Sequence, residues 1–276
     1  MDDTSTGRRR GAEPRRTGSV RARGVLCTSR VGDSLMEDSV AMTTIFRQFL
    51  RLFRGTDPLR ELLEMFAEML LDSRWMYDEV LNIYAGSKEP ETVEKELFAR
   101  DRKINATERE IRRRLVEYLA INQNPNVGAC LVLMSVAKDA ERLGDYVKNL
   151  FNIAEHAQHA EASNPELDLQ LHQLRSRALP LFDATRAAFL SPEESLAQHS
   201  LESAQRLAKE SEKLVWEIAE RTDITPKAAV LHALSARHVK RIVSHLANIA
   251  TAAIQPVDWL DYTEKSKPPD APADDG

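Results

Sequence analysis

Between about residues 58 and 255, apolar side chains recur every three or four positions. That is the period of helices with one buried face. The clearest run is Ala129, Leu133, Val136, Ala140, Leu143, Val147, Leu150 and Ala154, spaced alternately by four and three. The pattern returns 99 residues later as Val239, Ile242, Leu246, Ile249 and Ala253, with Arg241 in the place of Arg142 and Asn248 in the place of Asn149. A recurrence of this kind predicts a duplicated helical unit of about a hundred residues.

Breakers divide the pattern. Asp57-Pro58 and Thr225-Pro226 read as helix starts, as does Ser191-Pro192-Glu193-Glu194 with its acids in the first turn. Gly86-Ser87, Asn124-Pro125-Asn126 and Ser163-Asn164-Pro165 read as turns. Six helices follow, over about 58–85, 90–121, 127–160, 166–189, 191–221 and 226–254, with a kink expected at Pro180 in the fourth. Short connections make neighbouring helices antiparallel. The reading is all-α, as two tandem three-helix bundles over 58–162 and 163–256. Core candidates are Leu62, Met65, Phe66, Met69, Trp75, Met76, Val80 and Ile83 in the first helix, and Val93, Leu97, Ile104, Ile111, Leu115 and Leu119 in the second.

The ends have a different composition. Residues 1–41 lack periodicity and read as a disordered basic leader, with Met36 and Met42 as alternative starts. Within 42–57 lies a short basic amphipathic helix. Its Phe46 and Phe49, flanked by Arg47 and Arg51, are candidates for membrane or partner contact, of weak strength at most; the alternative is that it folds back onto the bundle. Residues 257–276 read as a disordered tail. The net charge is −5, yet residues 1–31 hold eight arginines against three acids, a net of +5, so the remainder carries −10. A globular part that acidic argues against nucleic acid as a ligand. Cys27 and Cys130 have no metal or redox spacing and fit a reducing cytosol. The apolar run 128–137 is about half the length a bilayer demands, and the leader lacks the apolar stretch of a signal peptide.

Glu141 and Asp145 stand at i and i+4 on one face beside the apolar seam, with Asn149 one turn on. The run Glu141-Arg142-Leu143-Gly144-Asp145 followed by Asn149 resembles the Glu-Arg-Ile-Gly-Asp…Asn signature of PhoU proteins, the phosphate-uptake regulators. Asp101-Arg102-Lys103-Ile104-Asn105 is similar to the family's earlier acidic motif, with Asn105 where a second acid is wanted. The second repeat has lost these acids, with Lys240 replacing Glu141 and Ser244 replacing Asp145.

The resemblance covers roughly residues 59–255. It implies two three-helix bundles side by side and metal ligands on the first repeat: Asp101, Asn105, Glu108 (as a substitute acid), Glu141 and Asp145, for iron, zinc or manganese. The competing reading is an exposed acidic ridge balanced by Lys103, Arg142 and Lys148. His238 and His245 have no carboxylate at matching spacing and read as partly buried histidines rather than ligands. Arg109, Arg112, Arg113 and Arg114 lie among Glu108, Glu110 and Glu117, a salt-bridged surface.

No phosphate loop, nucleophile elbow, zincin or dinucleotide motif is present, and no catalytic residue is assigned. The resemblance implies a non-catalytic cytoplasmic regulator of phosphate uptake and phosphate-starvation signalling, peripheral to the inner face of the membrane. Its partners would be a phosphate ABC transporter ATPase and a phosphate-sensing histidine kinase, with a homodimer as a further assembly. Alternatives are a metal-binding helical protein of other purpose and a PhoU-like module serving a sodium-phosphate cotransporter.

Overall fold

The computed structural model describes residues 58–157, 164–190 and 194–254. The leader, the helix expected within 42–57 and the tail expected at 257–276 lie outside the described residues. Six helices are present: α1 Pro58–Tyr84, α2 Pro90–Ile121, α3 Val127–Ala157, α4 Pro165–Leu190, α5 Glu194–Ala219 and α6 Pro226–Ala252. No strand occurs among the described residues.

Local chemistry sets the ends of these helices. At the end of α1, Gly86 takes φ +68°, and its N–H donates to the Ile83 carbonyl while the Ser87 N–H reaches the Asn82 carbonyl. The left-handed glycine thereby satisfies two carbonyls that the helix leaves open. Three helices start on a side-chain cap. Asn126 Oδ1 accepts from Ala129 N at 3.1 Å, Asn164 Oδ1 from Glu166 N and Leu167 N at 3.0 and 3.2 Å, and Thr225 Oγ1 from Ala228 N at 3.2 Å. Helix α4 runs through Pro180, which sits on its exposed side.

The helices pack as two antiparallel groups of three, α1–α2–α3 and α4–α5–α6. In α3 all eight members of the heptad-like stripe are buried, and in α6 Val239, Ile242, Leu246 and Ile249 are fully buried while Ala253 packs at the margin. Met65, Trp75 and Leu119 lie at the edge of the core rather than inside it. The groups lie side by side through like helices, α1 against α4 and α3 against α6. Phe66 meets Phe189 at 4.6 Å between ring centroids and Tyr77 meets Phe182 at 5.3 Å. The buried Tyr77 hydroxyl donates to the Arg175 carbonyl at 2.9 Å, and Arg74 pairs with Asp183 at 2.7 Å. One continuous core spans both groups.

Candidate functional site

Of the acidic residues singled out on α2 and α3, Asp101 and Asp145 are brought together on the α2–α3 seam, and Asp145 stays partly exposed. Asp101, Glu108 and Glu141 are only 7, 7 and 8 % exposed. Gly144 permits that closeness, since a Cβ there would stand 3.2 Å from Ile104 Cδ1 and 3.7 Å from Asp101 Oδ1. The glycine inside the motif is therefore a spacer that lets α2 lie against α3.

Burying carboxylates demands compensation, and each has a cation beside it. Lys148 Nζ bridges Asp101 at 3.0 Å and Asp145 at 3.1 Å, tying α2 to α3. Burial alone would lower the Lys148 ammonium, but its hydrogen bonds to Asp101 and Asp145 outweigh it and hold the group above the ordinary lysine range. Glu141 is paired with Lys138 at 2.6 Å and lies 3.8 Å from Arg142, which also reaches Asp145 at 3.5 Å. Glu108 is paired with Arg112 at 3.0 Å. Asn105 turns its amide onto the Asp101 carbonyl at 2.9 Å, and Lys103 points to Asp72 instead, at 2.7 Å.

The basic run of α2 is salt-bridged as its spacing suggests. Arg113 binds Glu110 and Glu117, and Arg114 binds Glu110 and Glu61.

A second polar cluster lies where α3 meets α6. His245 Nδ1 stands 2.7 Å from Asp139 Oδ1, which also accepts from Asn248 Nδ2 at 3.1 Å. The Tyr146 ring stacks on the His245 ring at 5.5 Å and lies 5.7 Å from the His238 ring. Arg241 Nε donates to the Tyr146 hydroxyl at 3.0 Å. The histidines are thus structural partners across the repeat boundary. Asp139 and Tyr146 were not foreseen, although one signal existed: they occupy the positions of His238 and His245, 99 residues earlier. Exchanging the repeats turns the Asp139–His245 contact into the Tyr146–His238 contact, the relation of a quasi-two-fold axis that passes by the Tyr146–His245 stack.

The family model described as the PhoU domain matches residues 59–154, which covers α1, α2 and nearly all of α3. Residues 59–154 form a PhoU domain. The fold of the whole described chain is similar to two solved PhoU structures. One is the phosphate transport system regulatory protein PhoU from Streptococcus pneumoniae, with 21% identity, a TM-score of 0.61, and coverage of 74% of this chain and 94% of that one. The other is PhoU from Pseudomonas aeruginosa, with 18% identity, a TM-score of 0.63, and coverage of 71% and 95%. No curated protein matches the chain.

Metal ligation, which the family resemblance implies for the PhoU domain, requires carboxylates turned toward a common point. Here they turn toward Lys148, Lys138 and Arg112, and no group of three or more His, Cys, Asp or Glu able to hold a metal occurs among the described residues. A cation pinned between Asp101 and Asp145 repels a metal ion from that position. In this arrangement the residues of the PhoU domain do not fit a metal site.

Proposed function

We propose that the chain is a non-catalytic regulator of phosphate uptake that restrains import and phosphate-starvation signalling by protein–protein contact. The observation on which this rests most is the PhoU-domain match over residues 59–154, the stretch holding the Glu141–Asp145 motif. A fold likeness spanning both three-helix groups, to the phosphate transport system regulatory protein PhoU of Streptococcus pneumoniae, supports the same reading. No helix among the described residues is long and apolar enough to cross a membrane, so contact with a transporter falls to its surface. Trp216, 68% exposed on α5, is the kind of aromatic that anchors such contacts. The partners in this reading are the ATPase of a phosphate ABC transporter and a phosphate-sensing histidine kinase, met in the cytoplasm at the inner face of the membrane.

The test is removal of the gene in the source organism. Phosphate uptake in phosphate-rich medium should rise and phosphate-starvation transcripts should switch on, with both effects reversed by restoring the full chain. The tagged chain should also co-purify with the transporter ATPase. Uptake and transcripts unchanged by the deletion would overturn the reading.

A further inference from the structure

Arg175 falls inside the apolar stripe of α4, with Leu171, Leu174, Ala178 and Phe182 on the same face. Its side chain follows that stripe into the interior and is 7% exposed. A guanidinium keeps its charge there and calls for a carboxylate. Among the described residues, none lies within ion-pairing distance of it. Its compensation is partial: the Tyr84 ring lies 3.8 Å away, and Nη1 donates to Ser235 Oγ at 3.1 Å. The Nε–H is buried without any hydrogen-bond partner.

This cation lines a cavity of about 460 Å³ where the ends of α1 and α3 meet the first halves of α4 and α6. Further donors converge on the same space. Ser235, His172 and His232 line it, and His232 Nε2 is likewise buried without a hydrogen-bond partner. The single acid in the wall is Asp168, 3.7 Å from His232 Nε2 and itself partly exposed. The volume lies within the range of small-molecule sites, about 300–1,000 Å³.

We infer that this cavity, formed between the two three-helix groups, binds a small oxyanion of the phosphate class, with Arg175 as its main charge and Ser235, His172 and His232 as further donors. Arginine's planar fork suits such an anion better than a point charge does. Burial holds His232 below its ordinary range, so without an anion it is a neutral donor and leaves Arg175 as the fixed charge. The site stands on its own geometry, whether or not the chain restrains a transporter.

Calorimetric titration of the purified full chain, in phosphate-free buffer of low ionic strength, tests the site. Orthophosphate, glycerol phosphate and sodium chloride of matched ionic strength serve as the three titrants. Saturable binding of one anion per chain, absent with chloride, is expected. Orthophosphate binding alone identifies a free-phosphate site, and tighter binding of glycerol phosphate identifies a phosphorylated small molecule.

Arg175→Gln should weaken binding at least tenfold, a loss of about 1.4 kcal/mol or more. Asp168→Asn, which removes the opposing charge and leaves the packing in place, should tighten it several-fold and decides the matter if Arg175→Gln fails to fold. Absence of saturable binding up to about 10 mM of either phosphate titrant, where affinity is too weak to matter, overturns the inference. So does binding that neither substitution alters. Deletion phenotypes in cells bear on the regulatory reading and not on this one, so the two fail independently.

Discussion

At Gly144 two residue-level effects oppose each other. Alanine is the better helix former by about 0.8–1.0 kcal/mol, but its Cβ would press on Ile104 Cδ1 at 3.2 Å. That methyl group is the far end of a side chain and yields by a few tenths of an ångström. Gly144→Ala should therefore leave urea-unfolding stability within about 1 kcal/mol of the parent, whereas Gly144→Val overfills the seam and should cost about 1–3 kcal/mol. Equal effects of the two would contradict the spacer role. His238 tests another residue-level effect. Burial is the largest influence on its imidazole, followed by Arg237 and Arg241, and all three hold it below its ordinary value of 6.5. A histidine kept neutral by the fold leaves stability whole above about pH 6.5 and weakens it as pH falls, because the unfolded chain takes up the proton first. His238→Gln should remove that share of the loss. The stability difference between variant and parent should be constant from pH 8 to 7 and move in the variant's favour from pH 6.5 to 5; a difference flat across the whole range would refute it.

At the level of helices, the sequence was informative where the pattern is long. The eight-member stripe of α3, its return in α6 and the start at Thr225 were legible because a 3.6-residue period and a polar stop depend on local chemistry alone, whereas Asn126 and Asn164, read only as turn residues, prove to be caps. The direction in which a charged side chain turns can depend on the neighbouring helix instead. Glu141 pairs within α3, with Lys138, and Asp145 with Arg142 and Lys148, whereas Asp101 finds its cation only across the α2–α3 seam. Asp101 and Lys148 are 47 residues apart, and their pairing appears only after α2 has docked. Arg175 offered a sign, since a charge set among Leu171, Leu174 and Ala178 lies on the buried face. Lys148→Ala should cost about 1–3 kcal/mol in urea unfolding by leaving Asp101 buried and unpaired, while Lys148→Ala/Asp101→Asn should recover part of that loss. The same ion pairing predicts that the purified parent holds less than one equivalent of iron, zinc or manganese by elemental analysis. A stoichiometric metal, lost on changing Glu141 and Asp145 to Ala, would show that the carboxylates turn outward when a metal is present.

At the scale of the whole molecule, the two three-helix groups share one continuous core. Urea should therefore unfold residues 58–254 in a single transition, coincident by circular dichroism and by tryptophan fluorescence, since Trp75 sits on α1 and Trp216 on α5. Asp139→Ala should lower the midpoint while keeping one transition. In a double-mutant cycle with His245→Ala, the two residues should be coupled by about 0.5–3 kcal/mol. Two resolved transitions in the parent would show that the groups are only loosely joined.

The quasi-two-fold contact between α3 and α6 also limits what this chain can assemble with. If two copies of α3 met in the same geometry, each Asp139 would face a tyrosine; two copies of α6 would face histidine with histidine. Only the unlike pairing sets an acid against an imidazole. The chain is in effect a dimer whose two subunits were fused and then made non-interchangeable. Because the second copy carries His238 where the first carries Asp139, each half is the specific mate of the other at this joint.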